Sequence, residues 1–126
     1  MGLTPDTLSF DCADPVRVAT FWAEALGWEL ADADPEGSYV RDPSAATQGM
    51  FFQPVPEPKT AKNRMHLDVR PSRSMAEEVE RLEGLGATTQ GRVDVEGSFW
   101  TVMQDPEGNE LCVLRGPDDG WSPDDL

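Results

Sequence analysis

Apolar and polar side chains alternate along Leu8-Ser9-Phe10-Asp11-Cys12, the period of a strand with one covered face. Asp14-Pro15 follows, a capping acceptor with proline at the first helical position. Val18, Phe21, Trp22, Ala25 and Leu26 then recur at helical spacing as far as the stop at Gly27. Trp28 to Leu30, Ser38 to Arg41 and Met50 to Val55 read as short strands, with Asp-, Pro- and Gly-containing turns between them. The same order returns later in the chain. Met65 to Val69 is a strand, and Ser74 to Leu85 a helix whose buried stripe is Met75, Val79, Leu82 and Leu85, with Gly86 as stop. Strands follow over Thr88 to Asp94, Ser98 to Met103 and Glu110 to Leu114.

A shift of 59 positions lays one half on the other, placing Leu26-Gly27 on Leu85-Gly86 and Gln53 on Cys112. Two copies that are each too small to bury a core make a duplicated module rather than a solenoid. The expected fold class is α+β, two βαβββ modules forming a curved mixed sheet with helices on the outer face and an open cleft inside. The expected organisation is a single domain over 1–115 built from modules 5–55 and 64–115. An inter-module linker spans 56–63 and an acidic tail 116–126.

Strand side chains alternate between faces, so parity sorts them. Leu8, Phe10, Cys12, Leu67, Val69, Leu111 and Val113 are expected to meet the helices. Thr7, Ser9, Asp11, His66, Asp68, Arg70, Glu110, Cys112 and Leu114 take the opposite face, joined by Phe51, Gln53 and Trp100. Charges there are costly unless paired or solvated, so this face is either solvent or a functional cleft. His66 is the sole histidine of the chain. Its neighbours Asp68, Glu110 and Cys112 are groups that orient a general base or ligate a metal. Cys112 also has a plainer reading, an inert thiol packed in a strand.

Charge narrows the partners. Twenty-four acidic against ten basic residues give a formal charge of −14 in 126 residues. Nucleic-acid binding needs clustered Lys and Arg, and anionic membranes also attract basic patches, so neither is expected as a partner. No apolar run approaches the length of a membrane span, and no signal-like segment opens the sequence. With two distant cysteines, this points to a cytoplasmic protein with reduced thiols. Lys59, Lys62 and Arg64 make the linker the one local positive patch. It reads as a solvated connection or as an anion-contacting pocket edge. The tail offers little to pack except Trp121 and is expected to be mobile or lightly docked.

Asp11-Cys12-Ala13-Asp14-Pro15 leads into Phe21-Trp22-Ala23-Glu24-Ala25-Leu26-Gly27-Trp28. Further motifs are Phe52-Gln53-Pro54-Val55-Pro56-Glu57-Pro58-Lys59, Asn63-Arg64-Met65-His66-Leu67-Asp68 and Asp105-Pro106-Glu107-Gly108-Asn109-Glu110. With these the chain resembles the vicinal oxygen chelate superfamily: glyoxalases, bleomycin-resistance proteins and extradiol dioxygenases. More narrowly, it resembles the short glyoxalase-like proteins of actinobacteria. The resemblance implies a divalent metal (Zn, Ni, Mn, Fe or Mg) at Thr7, Gln53, His66 and Cys112, with Glu110 as a further candidate. Only His66 is the expected imidazole, and Gln53 and Cys112 stand where carboxylates are usual, so the expected metal site is degenerate and no cofactor is expected. Bleomycin-resistance relatives imply a homodimer that binds a small molecule in a cleft between paired modules. The expected ligand contacts are His66, Asp68, Gln53, Glu110, Asp11, Phe51 and Trp100, and the acidic members favour a cation. The alternative is a metal-dependent lyase, isomerase or dioxygenase. The residues do not decide whether a reaction is catalysed.

Overall fold

A computed structural model describes residues 2–45 and 49–125. The chain divides into two units, Met1–Thr60 and Ala61–Leu126. The first contains β1 (Leu8–Cys12), α1 (Pro15–Leu26), β2 (Glu29–Asp32), β3 (Ser38–Arg41) and β4 (Gly49–Pro54). The second contains β5 (Leu67–Val69), α2 (Met75–Leu85), β6 (Thr88–Val95), β7 (Ser98–Gln104) and β8 (Glu110–Leu114). The fold is therefore α+β, two βαβββ modules with a mixed four-stranded sheet in each. The sheets run β1-β4-β3-β2 and β5-β8-β7-β6, with β1–β4 and β5–β8 parallel and all other pairs antiparallel.

Matching local signals start and stop the two helices. Asp14 accepts from the backbone N of Arg17 at 3.2 Å, and Ser74 accepts from that of Glu77 at 3.2 Å. Gly27 (φ 68°) and Gly86 (φ 116°) end the helices in the left-handed region, where a side chain would be strained. Each helix covers one face of its own sheet. In the first module the covered layer is aromatic: Phe10 lies 5.6 Å from Trp22 and 5.0 Å from Phe52 between ring centres. In the second it is built from Met75, Leu82, Met103, Leu111 and Val113.

Parity places Phe10, Cys12, Leu111 and Val113 as expected. Leu8 departs from it, remaining 45% exposed at the start of edge strand β1. The expected β5 began at Met65, yet the ladder starts at Leu67, because only Leu67–Val69 find partners on β8.

The ladders also correct the internal alignment. Leu8 pairs with Met50, and its counterpart Leu67 pairs with Leu111. The β1–β5 offset is thus 59 while the β4–β8 offset is 61, so the residue matching Cys112 is Phe51, not Gln53. One rung further, Tyr39 pairs with Phe51 where Val102 pairs with Cys112. Connections of unequal length cause the drift. Each added shift is two residues, which keeps every side chain on its own face.

The tail is better docked than expected. Asp119 accepts from the backbone N of Met75 (2.7 Å) and of Gly116 (2.8 Å), holding a carboxylate at the start of α2. The Arg70 guanidinium stacks 4.1 Å from the Trp121 ring centre and donates to the Arg115 carbonyl at 2.7 Å.

Candidate functional site

On the face of the second sheet away from α2 lies a cavity of about 390 Å³. His66, at the entrance to β5, and Asp68, within it, stand beside Glu110 and Cys112 on β8 and Trp100 and Val102 on β7. Parallel pairing puts Asp68 directly opposite Cys112. The antiparallel ladder puts Val102 on the other side of Cys112 and Trp100 opposite Leu114. Trp100, Val102 and Leu114 give the cavity its apolar lining, and His66, Asp68, Glu110 and Lys62 its ionisable one.

Asp68 organises those groups. The His66 Nδ1–H donates to Asp68 Oδ1 at 2.9 Å, which leaves Nε2 as the ring's second nitrogen. The Cys112 thiol stands opposite Asp68 on the same rung, its sulfur within 4.8 Å of the donor atoms of His66 and Asp68. Burial first, then the Asp68 and Glu110 carboxylates, push that thiol from 9.0 to about 11, against a smaller opposing effect of Lys62. In this setting the sulfur is a neutral thiol at pH 7 and not an activated nucleophile.

Glu110 is only 8% exposed, which a carboxylate tolerates only with partners. Its partners include the Lys62 ammonium, in direct ion-pair contact, and the backbone N of Asn63 at 2.9 Å. Lys62 comes from the segment read as a linker. It was absent from the expected site residues, although the linker's positive patch carried the signal. Its pairing with Glu110 leaves Asp68, half exposed, as the cavity's carboxylate without a cationic lysine or arginine partner among the described residues.

His66, Asp68, Glu110 and Trp100 thus line one cavity together with Cys112. Asp11, Phe51, Gln53 and Thr7 belong to the first module. There Gln53 Nε2 donates to Asp11 Oδ1 at 2.7 Å, and both side chains are exposed. Trp22 is core, 1% exposed.

His66, Asp68 and Cys112 each offer a donor atom, and these atoms lie within 4.8 Å of one another. The oxygen-rich shell that holds Mg²⁺ or Mn²⁺ is not met by one carboxylate, one imidazole and one thiol. At the matching first-module positions stand Thr7, Ser9 and Phe51, which supply two hydroxyls and a hydrocarbon ring. Glu110, a further metal candidate, is committed to Lys62 and Asn63.

Two βαβββ modules, each with a mixed four-stranded sheet, are the fold of the vicinal oxygen chelate class. The sequence matches the glyoxalase-like domain family over residues 7–114, and the chain belongs to that family. No curated protein sequence matches it significantly. Among solved structures it is similar to hypothetical protein SA1046 from S. aureus: 12% identity, TM-score 0.70, covering 91% of this chain and 94% of that one. It is also similar to a glyoxalase/bleomycin resistance protein/dioxygenase family enzyme from Burkholderia phytofirmans, at 16% identity and TM-score 0.68, covering 87% and 98%. A third is the fosfomycin resistance protein FosX from Listeria monocytogenes, complexed with Mn(II) and dihydroxypropylphosphonic acid, at 13% identity and TM-score 0.70, covering 92% of each chain. At these identities the likeness is one of fold. No helix among the described residues is long and apolar enough to cross a membrane.

Proposed function

We propose that this chain binds a cationic, aromatic small molecule in the cavity of its second module and that its metal site is degenerate toward hard divalent ions. The observation that carries this reading is the cavity's construction. Its volume of about 390 Å³ falls within the range of small-molecule sites, roughly 300–1,000 Å³, and Trp100 lines it together with the Asp68 carboxylate. A cation against an aromatic face and a carboxylate gains from both. Glu110 does not compete, because Lys62 neutralises it. Asp11, Phe51 and Gln53 are proposed as further contacts on the strength of the sequence alone.

The test is thermal shift with aromatic amines from benzylamine to tryptamine. A bound amine at a hundred times its Kd stabilises by about 2.7 kcal/mol, which moves the midpoint by several degrees. Asp68→Asn should abolish the shift while leaving the unliganded midpoint in place. If no amine moves the midpoint and Asp68→Asn behaves as the parent does, the reading fails.

The His-Asp-Cys cluster favours a second reading, a metal-dependent lyase, isomerase or dioxygenase. One metal ion per chain in protein purified without added metal would support it. The resemblance also supports a homodimer, testable by analytical ultracentrifugation, and an actinobacterial subgroup. Two cysteines free of disulfides support a reducing, cytoplasmic setting, and the charge of −14 argues against nucleic-acid partners.

A further inference from the structure

Fixed charges of both signs reach the cavity from three parts of the second module. Asp68 stands on β5, Glu110 on β8, and Lys62 on the segment that leads into β5. The parallel register sets Asp68 opposite Cys112, and Glu110 precedes Cys112 by two residues on the same face of β8. Two residues of rise and one strand spacing put the backbones of Asp68 and Glu110 about 8 Å apart. Two free carboxylates at that separation would suit a ligand with two ammonium groups. Lys62 changes the count. Its ammonium is in direct contact with Glu110 Oε1 although the lysine side chain remains 68% exposed, so the charge reaches Glu110 without itself being buried. The second carboxylate oxygen, Oε2, accepts from the Asn63 backbone N–H at 2.9 Å. Beyond burial, which acts most strongly, the Cys112 thiol feels all three charges: Asp68 and Glu110 hold its proton on, and Lys62 pulls the other way.

We propose that Lys62 determines the charge selectivity of this cavity: its ammonium fills the cation position at Glu110, leaves Asp68 for the ligand, and so restricts the site to amines with a single positive charge. The second ammonium of a diamine, reaching from Asp68 toward Glu110, meets a lysine already in place. Like charges brought together beside a partly desolvated wall repel more strongly than in bulk water, and such a repulsive element is how a site excludes a near neighbour of its ligand. With Lys62 present, the three groups leave one negative charge for a guest to neutralise; without it they leave two. The linker's positive patch thus contributes a side chain that chooses among guests, and the buried position of Glu110 keeps that side chain at its post.

This inference rests on the proposed amine binding, and its test separates the two. Calorimetry on the full-length chain compares 4-methylbenzylamine with p-xylylenediamine, in which the ring methyl carries a second amino group. Both are measured near pH 7, where alkylamines hold their protons. The expected result is a monoamine bound about tenfold more tightly than the diamine. Lys62→Met should reverse the order, raising diamine affinity about tenfold and changing the monoamine less. Lys62→Arg keeps the positive charge and should keep the preference for the monoamine. Lys62→Met combined with Glu110→Gln removes one charge of each sign and should restore that preference, which a damaged fold or an altered shape would not do. The zwitterion 4-(aminomethyl)benzoate should bind no more tightly than the monoamine. A diamine held as tightly as the monoamine by the parent, a ratio that Lys62→Met leaves unchanged, or a diamine preference that survives in the double variant would overturn the inference. Tightest binding of the zwitterion would also overturn it, because Lys62 would then be the anchor of an anion. In each of these cases amines still bind, and the binding function stands. No heat from any amine in the parent or the variants would defeat both.

Discussion

The two modules share one backbone plan and spend it differently. At the first-module position matching Cys112 stands Phe51, and at the one matching Val102 stands Tyr39. The Phe51 ring covers Gly37 so closely that a Cβ there would meet its Cζ at 2.8 Å. At Gly49, the counterpart of Glu110, a Cβ would meet the Tyr39 hydroxyl at 2.6 Å and the Val40 carbonyl at 2.5 Å. Rings fill these rungs in the first module. In the second module the same rungs carry Val102, Cys112 and Glu110, and a cavity stands beside them. Two rings of the first module thus stand where the second has a valine and a thiol lining its cavity.

The contrast sets out a graded series of experiments. The largest effect belongs to the aromatic core of the first module. Trp22→Ala removes a side chain that is 1% exposed and in contact with Phe10 and Phe21, and should cost about 3–5 kcal/mol in urea unfolding. A loss below about 1 kcal/mol would show that this core does not hold the module together.

Next comes the thiol of the second module. In metal-free protein, Cys112 holds its proton up to about pH 11, whereas an unfolded thiol loses it near 9.0. Between those values the folded state binds more protons than the unfolded one, so stability falls as pH rises. The contribution is complete below pH 9 and gone above 11, on the order of 2–3 kcal/mol at about 1.4 kcal/mol per pH unit. Cys112→Ala should flatten this part of the pH–stability curve, and an unchanged slope would place the thiol in water.

Smaller again is the ion pair. Lys62→Met takes the ammonium from the buried Glu110 carboxylate, which still accepts from the Asn63 amide, and should cost about 1–2 kcal/mol, held down by the exposure of Lys62. Adding Glu110→Gln should recover most of the loss. Additive losses in the double variant would mean that the two side chains do not interact. The least effect is expected at Asp11→Asn in the first module. Its partner Gln53 is exposed, so stability should change by less than about 0.5 kcal/mol.

Much of this plan was legible in the residues. Both helices, the cap at Asp14 and the stops at Gly27 and Gly86 are local signals that need no tertiary knowledge, whereas Ser74, read as the first helical residue, is the cap of α2. The polar face follows from parity alone, which is enough to group His66, Asp68, Glu110, Cys112 and Trp100. What failed was register. An internal offset of 59 holds for β1 and the helix stops, but loop lengths shift β4 against β8 by two residues. Gln53 therefore took a place that belongs to Phe51. Burial was hidden as well. Nothing local marks Glu110 as interior, because what makes that affordable is Lys62, 48 residues away and in a stretch that reads as linker. Tail docking depends in the same way on distant partners, Asp119 on Met75 and Trp121 on Arg70.

The account turns on the small side chains at Val102 and Cys112 that leave room for a guest. The direct measurement is a calorimetric tryptamine titration of a variant carrying Val102→Tyr and Cys112→Phe, which gives the second module the rings of the first. The expected result is a folded chain with no heat of binding. Undiminished tryptamine affinity in the filled variant would contradict it.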